Sequence, residues 1–211
     1  MSKIKLPHAS GNSVSIAAPQ ANPASDRTLY LPSNADGTVL TNTTPGCILQ
    51  VKQNSDTTTP GTLTLGTADQ YESIPNLNVS ITPSSSSNKI LISFQTFGEG
   101  DTVDHKYSTR IQRAISGGAT THIQGLASST RSQALSTVNV GYYGSDSDST
   151  PTVSGISNYL DSPSTTSAIT YTVQIRCHNV SEWNYNRTNG DSNDPDYERG
   201  ISWITVMEVA G

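Results

Sequence analysis

The side chains best suited to chemistry gather in one stretch, Ser181–Arg199 (SEWNYNRTNGDSNDPDYER). Trp183, Tyr185, Arg187, Tyr197 and Arg199 stand there among Asn and Asp residues. Aromatic platforms beside amide, carboxylate and guanidinium groups are what a patch for a sugar or another polar surface needs. A second aromatic pair, Tyr142 and Tyr143 in VGYYGSDSD, is the other candidate contact point. The same residues would also serve to cap the end of a sandwich or to pack between subunits, and that alternative stays open. Asp191, Asp194, Asp196 and Glu198 crowd one loop, as calcium ligands do, but without the EF-hand's glycine and distal glutamate. They read as a solvated loop, and so do Asp146 and Asp148.

Catalytic patterns are missing. The chain has no G-x-S-x-G elbow, H-E-x-x-H pair, phosphate loop or glycine-rich dinucleotide turn. His8, His105, His122 and His178 are isolated, without metal-ligand spacing. Neither a cofactor nor a metal is expected. Cys47 and Cys177 lie too far apart in sequence for the disulfide framework of small secreted domains, so two free thiols are expected. Cys177 adjoins His178, but neighbours along a strand point to opposite faces, which argues against a Cys–His pair. The N-x-Ser/Thr sequons at Asn42, Asn78, Asn179 and Asn186 are what chance provides in so Asn- and Ser-rich a chain.

The elements that would hold these residues follow from composition. Of 211 residues, 33% are hydrophobic and only 14% charged, with a net charge of −5. Ser and Thr fill about a quarter of the positions. Disorder usually joins low hydrophobicity to high charge, and the charge is lacking. Short strands joined by polar turns suit this composition better than helices do. Scattered Lys and Arg give no basic run, so no nucleic-acid partner is expected. Nothing approaches the roughly 20 apolar residues of a membrane span, and the N-terminus lacks a signal-peptide core; synthesis in a cytosol without membrane insertion is expected.

Residues 1–45 carry short β-type stretches: Val14–Ala17 (with Val14 and Ile16), Leu29–Leu31 (with Leu29 and Leu31), and Val39–Thr41 (with Val39 and Leu40). Pro and Asp-Gly signals separate them. Each is too short to offset its own ordering entropy, so this segment is expected to attach to a partner or to its own copies. From residue 46 the strands lengthen. Ile48–Gln53, Leu77–Thr82, Lys89–Phe97, Tyr107–Ile115, Gln133–Tyr142, Ser154–Leu160, Ala168–Asn179 and Ile201–Val209 alternate apolar and polar residues. Ile201–Val209 is expected at the centre of its sheet, since an exposed apolar edge invites aggregation. The expected architecture is all-β: residues 46–211 form a β-sandwich or jelly-roll head behind a short extended segment, 1–45.

Four stretches carry a resemblance. Ser10–Asn42, with TLYLPSNADGTVLTN, is similar to the N-terminal segment of virion proteins from marine tailed phages, chiefly those of cyanobacteria. Leu77–Phe94 (LNVSITPSSSSNKILISF), Tyr159–Ile175 (YLDSPSTTSAITYTVQI) and Ile201–Gly211 (ISWITVMEVAG) resemble the globular C-terminal domain of the same fibre-type proteins. The likeness lapses near 98–107, 141–153 and 181–199. It implies a jelly-roll head on a slender β anchor, a homotrimer, other tail or capsid proteins as partners, and a place in the virion. Shaft repeats, coiled coils and collagen-like periods are absent, which leaves a short fibre-type spike or a decoration knob. A spike would meet a host surface glycan or protein through the Trp183–Arg199 and Tyr142–Ser149 loops. A decoration protein would stabilise the particle instead, and a polysaccharide depolymerase is a third reading.

Overall fold

Alternation of buried and exposed side chains governs the computed structural model, which describes residues 3–7, 10–11, 13–17, 44–57, 60–102, 106–138 and 150–211. The chain divides into two units, Met1–Val39 and Leu40–Gly211. In the first, β1 (Lys3–Pro7) and β2 (Ser13–Ala17) form an antiparallel pair, with Val14 opposite Leu6 and Ile16 opposite Ile4. Leu29, Leu31, Val39 and Leu40 lie outside the described residues.

In the second unit, β3 (Ile48–Asp56) and β4 (Gly61–Leu65) run end to end, followed by β5 (Glu72–Ile81), β6 (Lys89–Gly100) and β7 (Tyr107–Ile115). Next come β8 (Thr120–Ile123) and β9 (Ser136–Val138), again end to end, then β10 (Thr152–Asp161), β11 (Ile169–Cys177), β12 (Ser181–Tyr185) and β13 (Ser202–Val209). β12 and β13 both pair with the same side of β6, because β10 occupies its other side. They therefore act as one interrupted strand, flanked beyond by β3 and β4. Counted this way, one sheet runs β3/β4, β12/β13, β6, β10, and the other runs β5, β11, β7, β8/β9. Eight antiparallel strands in this order make a jelly roll.

The core lies between the sheets. Ile90, Ile92 and Phe94 of β6 and Ile204 and Val206 of β13 share it with Leu77, Val79 and Ile81 of β5. Ile169, Tyr171, Val173, Ile175 and Cys177 of β11 complete its centre. At roughly 1.5–3 kcal/mol for each fully buried large side chain, a few such rows offset the low apolar content of the whole chain. β13 lies between β3 and β6, the central place its composition requires. Cys47 and Cys177 are free thiols, and His178 is exposed while its neighbour Cys177 faces inward.

β10 forms an edge of the first sheet. A register shift between Ile156 and Tyr159, with Asn158 at φ 63°, kinks this edge and interrupts its template for further pairing. Among the described residues no helix is long and apolar enough to cross a membrane.

Candidate functional site

Two of the aromatic residues expected to form a contact platform, Trp183 and Tyr185, are inside the protein. Ser181–Tyr185, read from sequence as the start of a loop, is strand β12, paired on one side with β4 and on the other with β6. Alternation turns Trp183 and Tyr185 inward, leaving 0% and 9% of their surfaces exposed. Trp183 packs on Tyr107, with ring centroids 5.7 Å apart. A Cβ at Gly98 would clash with the Trp183 ring, and one at Gly100 with the Tyr107 ring, so glycine lets both rings lie against the backbone of β6. The buried Trp183 indole N–H has no acceptor among the described residues, so packing alone holds it. Trp183 and Tyr185 therefore cannot touch a ligand at the surface. Tyr142 and Tyr143 lie outside the described residues.

The rest of that stretch is an excursion between β12 and β13, and its base is pinned by Asn186. At φ 60°, Asn186 takes the left-handed conformation that asparagine tolerates better than most residues. Its backbone N–H donates to the Phe97 carbonyl, its Nδ2 to the Asp56 carbonyl, and its Oδ1 accepts from the Ser202 N–H. Arg187 is equally committed: Nη1 donates to the Thr188 and Asn189 carbonyls, and Nη2 to Thr62 and Asn184. Below the excursion lies Glu99, fully buried on the outer side of β6. Its Oε1 accepts from the Thr150 backbone N–H and hydroxyl at 3.0 Å, and its Oε2 from the Asn189 N–H at 2.8 Å. One carboxylate thus ties two loops to the sheet. Tyr197 is half-buried, and the exposed Arg199 pairs with Asp191. Both border a cavity of about 440 Å³ made almost wholly by residues 191–199.

The outer face of the second sheet carries a different arrangement, which sequence reading missed. Arg176 of β11 and Arg110 of β7 both point away from the core beside Tyr71, the residue before β5. The Arg110 guanidinium lies 4.1 Å from the Tyr71 ring centroid and that of Arg176 5.7 Å. Arg110 Nε donates to Gln174 at 2.7 Å and Nη1 to Gln124 at 3.1 Å. Arg176, only 7% exposed, donates to Ser108, Asp69 and Ser132. The Tyr71 hydroxyl donates to the Gln133 carbonyl at 2.6 Å. The loop between β8 and β9 closes over the group, held by the Gly125 N–H on Ala134 and by Gln133 Nε2 on the Gly125 carbonyl. The result is a cavity of about 300 Å³ that also includes Arg131. Burial, opposed by Tyr71, pulls the Arg110 pKa below its ordinary value; burial and then the Arg110 charge do the same to His122.

The signal for this pocket was present as outward Arg and Gln residues on alternating strands, in RIQR (Arg110–Arg113) and VQIR (Val173–Arg176). It could not be assembled without the register that sets Gln174 opposite Arg110 and Arg176 opposite Ser108.

Other polar clusters brace the fold. Asp101, Ser181 and the Tyr107 hydroxyl bond one another, and burial pushes the Tyr107 phenol well above its ordinary value. Asp161 accepts from Arg113 at 2.7 Å and from Tyr171 at 2.8 Å. Among the described residues no group of three or more His, Cys, Asp or Glu side chains could hold a metal ion, the 191–198 cluster included. No family model matches the chain, and no curated protein matches it.

Proposed function

We propose that the chain is a non-enzymatic structural protein of a tailed-phage virion, a short fibre-type spike. Residues 1–45 attach it to the particle or join its copies, as a homotrimer, and the jelly-roll head contacts the host surface. The observation that carries this reading is the pairing of a small N-terminal unit with a separate jelly-roll unit. The jelly roll is used by viral coat and lectin domains alike, and the four resembling segments supply the virion setting. Contact falls on the arginine pocket of the second sheet, with Trp183 and Tyr185 acting as struts inside the head. Weak binding by each head would be multiplied by several heads on one particle.

An antibody against residues 46–211 tests this in electron micrographs of particles from a producing lysate. Label on the tail, with adsorption blocked by soluble head, is the expected result. Label confined to the non-particulate fraction would overturn it.

One observation favours the decoration alternative. Val51, Met207, Leu91 and Leu160 stand in register across all four strands on the outer face of the first sheet. Val51 and Leu160 are 53% and 52% exposed, and such an apolar row suits a protein neighbour better than water. Particles lacking the chain would then lose heat resistance but adsorb normally.

A further inference from the structure

The arginine cavity on the second sheet has a charge that the protein as a whole does not. The chain carries a net −5, yet this lining brings together Arg110, Arg131 and Arg176 against one carboxylate, Asp69. Asp69 pairs with Arg176 at 2.6 Å and lies 3.6 Å from the His178 ring nitrogen. Arg110 and Arg131 have no carboxylate partner among the described residues, which leaves two uncompensated positive charges beside a concave surface. Arg110 is already oriented: Gln174 and Gln124 fix two of its nitrogens, Tyr71 backs its plane, and among the described residues no hydrogen bond involves its Nη2. A fork held this way gives up little entropy when it meets a planar or tetrahedral oxyanion. Arg131 is exposed at the rim, on a turn closed by its own N–H to the Ser128 carbonyl.

The rest of the lining narrows the ligand. Gln124, Thr130, Ser132 and Gln133 supply amide and hydroxyl groups that can both donate and accept, as vicinal sugar hydroxyls require. At about 300 Å³ the space exceeds what a simple inorganic anion fills and falls at the small end of ordinary ligand sites.

We propose that this cavity binds an acidic residue of a polysaccharide, a sugar ring bearing a carboxylate or a sulfate ester. Arg110 and Arg131 engage the anionic group, and the Gln and hydroxyl groups engage the ring. Arg176 is a positioning residue: with Asp69, Ser108 and Ser132 it holds the loop that forms the wall. The proposal deepens the attachment reading by naming a ligand class, and it rests on that reading only for its biological setting.

Calorimetric titration of the full chain tests it, with oligouronates, a sulfated oligosaccharide, a neutral oligosaccharide of equal length and inorganic sulfate as probes. At least one acidic series should bind tenfold or more tightly than the neutral one, and more weakly as salt rises. The carboxylate and sulfate arms tell which oxyanion is preferred. Arg131→Ala and Arg110→Gln should each weaken binding by about tenfold, the conversion of about 1.4 kcal/mol, while Arg131→Ala melts at the wild-type temperature. Equal binding of the neutral series, wild-type affinity in both variants, or sulfate binding that the oligosaccharides do not exceed would overturn the proposal. Binding lost in the variants while their virions adsorb normally would overturn the attachment reading and uphold the site.

Discussion

Each sheet of the jelly roll carries a loop across its outer face, and the two loops are built on opposite electrostatic plans. On the first sheet the excursion between β12 and β13 is organised from beneath by a carboxylate. Glu99 gathers donors from Thr150 and Asn189, while Asn186 and Arg187 spend their polar atoms on the loop's own base. On the second sheet the loop between β8 and β9 is organised by guanidinium groups, and these are not all consumed. Arg176 is spent on Asp69, Ser108 and Ser132, but Arg110 and Arg131 keep charge facing a cavity. A network that satisfies itself makes structure; one that leaves directed donors over makes a site. The richest cluster of aromatic and charged residues in the sequence is therefore mainly a brace, and the sparser one is the pocket.

This contrast predicts a graded set of effects. Trp183→Ala should cost about 4 kcal/mol, the loss expected for a large aromatic in a packed core, measured by denaturant unfolding. A loss below 1 kcal/mol would return Trp183 to the surface and undo the contrast at its strongest point. Glu99→Ala should cost about 3 kcal/mol, because it strands buried donors from two loops at once. Hydrogen exchange should show the amides of Thr150 and Asn189 losing protection, with those around Gly125 and Gln133 unchanged.

Glu208 calibrates the carboxylate side of the comparison. It is 1% exposed, and although burial opposes ionisation, bonds from Asn88, Gln50 and Ser84 outweigh it and hold the carboxyl below its ordinary value. A folded-state pKa below the unfolded one means stability that is complete above the ordinary carboxylate range and is lost as pH falls through the folded value. Acid unfolding monitored by circular dichroism should thus be shallower in Glu208→Gln than in wild type. The smallest effect belongs to Arg131→Ala, within about 0.5 kcal/mol of wild type in thermal melts, as for an exposed side chain outside any brace.

Much of the fold was legible because the strands alternate cleanly. Leu77, Val79 and Ile81, and the five inward residues of β11 from Ile169 to Cys177, are buried as their spacing requires. β4 (GTLTL) and β8 (TTHI) escaped notice because they are short and Thr-rich, and their stability comes from the longer strands beside them. β12 escaped for another reason: Ser181, Trp183 and Tyr185 do alternate, but the Asn and Glu between them resembled loop chemistry. Burial beneath Asn184 and Glu99 depends on a ladder from both sides, which residue types alone do not announce. The arginine pocket was hidden more deeply. Its members, Tyr71, Arg110, Gln124, Arg131 and Arg176, come from four separate stretches joined only by register and loop closure.

On the proposal made above, ligand contact belongs to the arginine cavity and bracing to the excursion between β12 and β13. Amide chemical-shift mapping of the labelled chain with an acidic oligosaccharide tests it most directly. Saturable shifts are expected at Tyr71, Arg110, Gln124 and Arg131, with residues 186–200 unmoved. Shifts centred on Tyr197 and Arg199, with the cavity silent, would contradict it.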